Sequence, residues 1–246
     1  MKRRWVPVLA LLLALAVCAP ALASTLQKGS KGDEVAQVQR QLIDLGFLDG
    51  EADGIFGSQT ASAVKAFQRW LDLKQTGKLT DKQQFDLQTL WDIATDTSYA
   101  AYGGGSEDLR GVYPDSCALA QDDRGDVYFS YCWRHYRAEA NLMMLRQGKC
   151  PQRLEMMLAG NACRYWEAWI LEMYDEWEKQ LPKSDKKIAR RYRQDFIDDL
   201  AAQRAQWQAA QPAGDPNWAL IQEANWLEEV GIQQCLDLHG MEAQGD

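Results

Sequence analysis

Few side chains in this sequence are arranged for chemistry. There are two histidines, His135 and His239, and neither has neighbours at zinc-ligand spacing, so a three-ligand site would need carboxylate or thiolate help. Cys235 stands four residues before His239, but no motif of a cysteine nucleophile surrounds them. Carboxylates are more plentiful. Glu167, Glu172 and Asp175 lie in one stretch, and glycoside hydrolysis asks for two carboxyls. Such residues on an amphipathic helix are ordinarily a solvated face, and no catalytic constellation, metal site or cofactor site emerges. Trp166, Trp169 and Trp177 would suit stacking on sugar rings, yet aromatics at helical spacing usually build a core. The basic run KSDKKIARRYR, with Lys183, Lys187, Arg190 and Arg191, is followed by Asp195, Asp198 and Asp199. It reads as a charge-balanced helix face rather than a surface for an acidic partner.

The elements that would position these residues begin after a leader. MKRR is basic, VPVLALLLALAV is apolar but short for a bilayer span, and Ala21-Leu22-Ala23 is a cleavage pattern. A secretory signal peptide over residues 1–23 is expected. A lipid anchor at Cys18 is disfavoured, because Val17 is branched where such sites take a small residue. No later run is apolar enough for a transmembrane segment, so a periplasmic or secreted location is expected. Losing Lys2, Arg3 and Arg4 with the leader takes the formal charge from −8 to −11, which argues against nucleic acid as a partner. Beyond Cys18 stand Cys117, Cys132, Cys150, Cys163 and Cys235. In an oxidising compartment these are disulfide candidates, with fifteen arrangements open once one thiol is left over.

Val35, Val38, Leu42 and Leu45 make the apolar stripe of a first helix, opened by Asp33 and closed by Gly46. Val64, Phe67 and Leu71 repeat the spacing after Ser58. A third helix starts at Thr80, whose spacing to Gln83 is that of a capping box, and continues through Phe85, Leu90, Trp91 and Ala94. Between the first two helices, DGEADGIFG must reverse the chain quickly. Gly50, Gly54 and Gly57 are expected to supply φ > 0 there, with Phe56 held beneath as a plug.

These residues, in this order, resemble the peptidoglycan-binding-like domain. The resemblance runs through Gly29, Gly32 and Val35, then Leu45-Gly46-Phe47, then Asp53-Gly54, Phe56-Gly57 and Thr60, and ends with Ala63-Val64 and Phe67-Gln68. It covers residues 26–93 and implies a small three-helix fold that docks on peptidoglycan. Asp72 stands where the family often has Gly, and Gln83 where Thr is common. Polar side chains beside the turn, Asp53, Ser58, Thr60 and Gln68, are the expected hydrogen-bonding set, with Phe56 or Trp70 as apolar contact.

Residues 94–116, with Gly103-Gly104-Gly105-Ser106, read as a flexible linker. From 117 to 240 the pattern is helical again. Its stripes are Tyr128 to Leu145, Leu154 to Trp177, Ile188 to Trp207, and a less regular stretch from Trp218 to Leu238, broken at Pro151, Pro182, Pro212 and Pro216. The expected architecture is therefore all-α: the three-helix domain plus a disulfide-stapled helical bundle. Cys150, Cys163, Leu171, Tyr174, Ala202, Gln203, Arg204 and Trp207 resemble the LprI-like lysozyme inhibitor family, which implies a lysozyme or another envelope protein as partner. Glu172, Asp175, Glu176 and Glu178 are the acidic contact set expected for a cationic partner. The function expected is a non-catalytic envelope protein; the alternative is a peptidoglycan hydrolase with its active site in the helical domain.

Overall fold

The computed structural model describes residues 25–95 and 137–242, with backbone only at 235, 236 and 238–242. The expected leader with Cys18, most of the expected linker, Cys117, Cys132 and His135 lie outside the described residues, as do the side chains of Cys235 and His239. The described residues form seven helices: α1 Asp33–Asp44, α2 Ser58–Trp70, α3 Asp81–Thr95, α4 over 137–146, α5 Gln152–Gln180, α6 Lys186–Ala210 and α7 Trp218–Glu242. Two isolated antiparallel bridges, Leu26 with Leu79 and Lys31 with Ile55, are the β features among them.

The first three helices follow the apolar spacing. Val35, Val38, Leu42 and Leu45 are buried on α1, and Val64 and Phe67 on α2. Gly46 ends α1 at φ +79, where the Gly46 and Phe47 amides donate to Ile43 O and Leu42 O. Asp72 does the same for α2. It sits at φ +56, and the Asp72 and Leu73 amides donate to Arg69 O and Gln68 O. Aspartate tolerates this left-handed position better than most residues, which accounts for its standing where the family has glycine. The capping box at α3 forms reciprocally, Gln83 N to Thr80 Oγ1 at 3.4 Å and Thr80 N to Gln83 Oε1 at 3.3 Å. Leu87, Leu90, Ile93 and Ala94 are its buried face. Phe85, expected on that stripe, is 66% exposed, because it precedes Leu87 by two residues and therefore points to the other side of the helix.

α5, α6 and α7 pack on one another around Trp166, Trp169, Ile170, Met173, Phe196, Leu200, Ala224 and Leu227. The tryptophans are core, as expected of aromatics at this spacing. Approach is close: a Cβ placed on Gly231 of α7 would stand 2.6 Å from the Trp166 ring. The disulfide staple is corrected for the described cysteines, since Cys150 and Cys163 both carry free thiols. Cys150 precedes α5 and Cys163 lies inside it; the eleven helical steps from Gln152 to Cys163 alone rise about 17 Å, far beyond the reach of an S–S bond. Cys163 instead turns inward, its Sγ 3.5 Å from Leu220 O. Apolar packing, not a 150–163 crosslink, holds this unit.

The two units also meet. Leu154 and Leu158 of α5 belong to the same apolar cluster as Leu42, Leu45 and Leu90. Asn161 Nδ2 donates to Ile93 O at 3.1 Å and Ala94 O at 3.0 Å, satisfying carbonyls that the last turn of α3 leaves open. No helix among the described residues is long and apolar enough to cross a membrane.

Candidate functional site

Two buried glutamines organise the first domain. Gln39, on α1 directly after the core residue Val38, donates through Nε2 to Asp53 Oδ1 at 2.8 Å, Ile55 O at 3.1 Å and Thr60 Oγ1 at 3.1 Å. Its Oε1 accepts from Gly54 N at 2.8 Å. One amide thus fixes the whole turn between α1 and α2. Gln68, directly after the core residue Phe67, repeats the arrangement. Its Nε2 donates to Thr76 Oγ1, Lys78 O and Gln83 Oε1, and its Oε1 accepts from Gly77 N. Asp53-Gly54 and Thr76-Gly77 therefore play the same part in successive loops, and the third residue of the next helix, Thr60 or Gln83, completes each set. A glutamine can do this because its side chain carries both acceptor and donor, as a peptide group does.

Backbone lacing finishes the first turn. Gly32 N donates to Gly54 O, Phe56 N to Ser30 O, and Gly29 N to Phe56 O, at 2.9 to 3.0 Å. Gly54 holds φ +71, and a Cβ there would meet Gly32 O at 3.3 Å. Gly57 differs from expectation: it is the N-cap of α2 at φ −89, a conformation open to any residue, so the glycine requirement ends at Gly54. No side chain caps α2.

The expected binding set divides by burial. Asp53 and Ser58 are exposed. Thr60, Gln68 and Phe56 are at most 2% exposed, and Trp70 is 7% exposed. Thr60 and Gln68 spend their polar atoms inside the fold, and Phe56 is the plug beneath the turn. Their contribution is to shape the surface, which Asp53, Ile55 at 47% exposure, Ser58 and Lys31 present. The Ile55 amide and Gln39 hold the Asp53 carboxyl below its ordinary value, so it stays ionised at neutral pH. Gln39 escaped the residue-by-residue reading, although a glutamine embedded in an apolar stripe was a visible signal.

Comparison with known proteins matches residues 31–84 to the family described as putative peptidoglycan binding domain. Residues 31–84 are a peptidoglycan-binding-like domain. Two curated relatives also match: the chloroplastic protein disulfide isomerase pTAC5 of Arabidopsis thaliana, 39% identical over 79 residues, and a spore cortex-lytic enzyme of Oceanobacillus iheyensis, 30% identical over 95 residues. These alignments take in 31% and 35% of this chain, and the chain spans 20% and 34% of the relatives' own lengths. No solved structure matches significantly.

Outside the peptidoglycan-binding-like domain, charges pair within the bundle. Arg193 bonds Asp175 at 3.0 Å, Arg190 bonds Glu178 at 2.7 Å, and Lys179 bonds Glu176. Of the acidic set expected to face a partner, Asp175 and Glu178 therefore tie α5 to α6 through arginines of the basic run, and Glu176 forms a local pair with Lys179. Arg204 reaches Glu167 and Glu223, both at 2.6 Å, beside a cavity of about 390 Å³ lined by Gly160, Cys163, Arg164, Leu171 and Arg204 among others. Burial, with Glu223 nearby, pushes the Cys163 thiol well above its ordinary value, so it is protonated and a poor nucleophile.

Proposed function

We propose that this chain docks on peptidoglycan through its first domain and presents the helical unit at the wall without cleaving it. The match over residues 31–84 carries this reading, and the rigidly held turn at 53–58 supplies a preorganised polar surface. The test is capture of the full chain by insoluble peptidoglycan; retention no greater than that of a folded, equally acidic control refutes it.

A wall hydrolase is the second reading, supported by the cortex-lytic relative. Of the carboxylates it would draw on, Glu167 and Asp175 are engaged with Arg204 and Arg193. Zymography decides: clearing by the wild type that disappears in Glu172→Gln or Glu167→Gln establishes hydrolysis. For the helical unit we propose a cationic, lysozyme-like partner. Asp175, Glu176 and Glu178 would meet it only by exchanging their internal cations, so inhibition of a c-type lysozyme should be weak and lost at physiological salt.

A further inference from the structure

The basic run KSDKKIARRYR carries six cations and one acid in a chain whose formal charge is −8, so its place in the fold matters. It forms the tip where α5 turns back into α6. Pro182 O accepts the Asp185 and Lys186 amides at 2.9 and 3.2 Å, a tight turn that keeps the backbones of Lys183, Lys186 and Lys187 together. The acids that follow the run in sequence do not balance these lysines. Asp195 takes Arg191 at 3.7 Å, Asp198 accepts from Gln194, and Arg193 and Arg190 are spent on Asp175 and Glu178 of α5. Lys183, Lys186 and Lys187 enter no ion pair among the described residues. Asp185, the acid nearest them in sequence, makes no side-chain cap on α6.

The cations stand beside apolar side chains. Ala189, Phe196 and Leu200 are the buried face of α6, which leaves Ile188 and Tyr192, one turn apart, 43% and 51% exposed. Lys187 and Arg191, both exposed, form the neighbouring row, since residues three and four apart adjoin on a helix. Trp177 of α5 meets the Tyr192 ring edge-on at 5.7 Å, so the outward tyrosine is braced on the bundle. An acidic protein would call for the cations alone. Isoleucine and tyrosine flanked by lysines match the zone between lipid headgroups and acyl chains.

We infer that this tip seats on a bilayer surface carrying anionic lipid. The lysine ammonium groups meet headgroup phosphates, the Tyr192 hydroxyl stays at headgroup depth, and Ile188 enters the acyl boundary.

The experiment is cosedimentation of the full chain with vesicles of phosphatidylglycerol and phosphatidylcholine, against vesicles of phosphatidylcholine alone. Wild type and variants run in parallel, so any part due to residues 1–23 is common to all. Binding should be stronger with the anionic lipid and fall as salt rises. Lys183→Gln and Lys187→Gln should each weaken it about fivefold, and Ile188→Asn should weaken it as well. Cations at a helix N-terminus oppose its dipole, so Lys187→Gln should leave the urea midpoint equal or higher; its loss of binding is then not a loss of fold. Absence of any dependence on anionic lipid, or wild-type binding by both lysine variants or by Ile188→Asn, overturns the inference. Capture by a polyglutamate resin without vesicle binding overturns it too, and assigns the tip to an acidic protein surface.

Discussion

Replacing Gln39 by leucine tests the central claim about the first domain. The substitution keeps the volume, so little cavity cost arises, but two N–H donors shared among three acceptors and one accepted bond disappear. Asp53 Oδ1 retains the Ile55 amide; Gly54 N, Ile55 O and Thr60 Oγ1 lose a partner. Water reaches the exposed Ile55 and the half-buried Gly54, whereas Thr60 is 2% exposed. At about 1 kcal/mol net for each of these three bonds, Gln39→Leu should cost about 3 kcal/mol, a large part of a typical domain's stability. Urea unfolding of the full chain measures the loss, and amide exchange localises it. Exchange at Gly54 should accelerate in Gln39→Leu, and exchange at Gly77 in Gln68→Leu. Gln39→Glu adds a sign test. The introduced carboxyl faces Asp53 and the Ile55 carbonyl, which raise its folded pKa, so stability should be lower at neutral pH and partly recover on acidification through that raised value. A loss below about 1 kcal/mol in Gln39→Leu, or equal acceleration at Gly54 and Gly77 in each variant, would refute the reasoning.

Gly54→Ala should cost about 1 kcal/mol or more, while Gly57→Ala is near neutral, because of these two Gly54 alone holds a left-handed φ; paired thermal melts read the contrast. Gly231→Ala drives a methyl into the Trp166 ring and should destabilise the bundle by about 2 kcal/mol, visible as a lowered tryptophan-fluorescence midpoint in urea. The Asp53 carboxyl, held below its ordinary 3.8 by the Ile55 amide and Gln39, contributes stability that is present above that value and lost as pH falls through the lowered one. Asp53→Asn should therefore flatten the acid limb of the stability curve, and an unchanged limb would contradict the assignment. In the folded chain at pH 8, Ellman's reagent should leave Cys163 unmodified, while denaturation exposes it; a 150–163 crosslink in non-reducing peptide maps would refute the free-thiol assignment.

Period and punctuation made the helices legible before any fold was in hand. The stripe from Val35 to Leu45, the capping box at Thr80 and the prolines between the long helices act within a few residues of one another, so sequence alone determined them. The motif that marks residues 31–84 is equally local, because it consists of turn glycines and the core residues beside them. Burial of each polar side chain is not local. Thr60 and Gln68 look like surface donors in sequence, yet they face inward because Gln39 and the 76–83 loop converge on them from distant positions. Glu178 and Asp175 look like a free acidic face, yet α6 folds back to lay Arg190 and Arg193 across them. Lys31 and Ile55 stand 24 residues apart in the chain and share a face only through the bridge. Local chemistry decided which elements form; which side chain answers which, and so which atoms remain for a ligand, was decided by tertiary packing, since satisfaction of a buried polar group depends on whatever the rest of the chain brings within 3 Å.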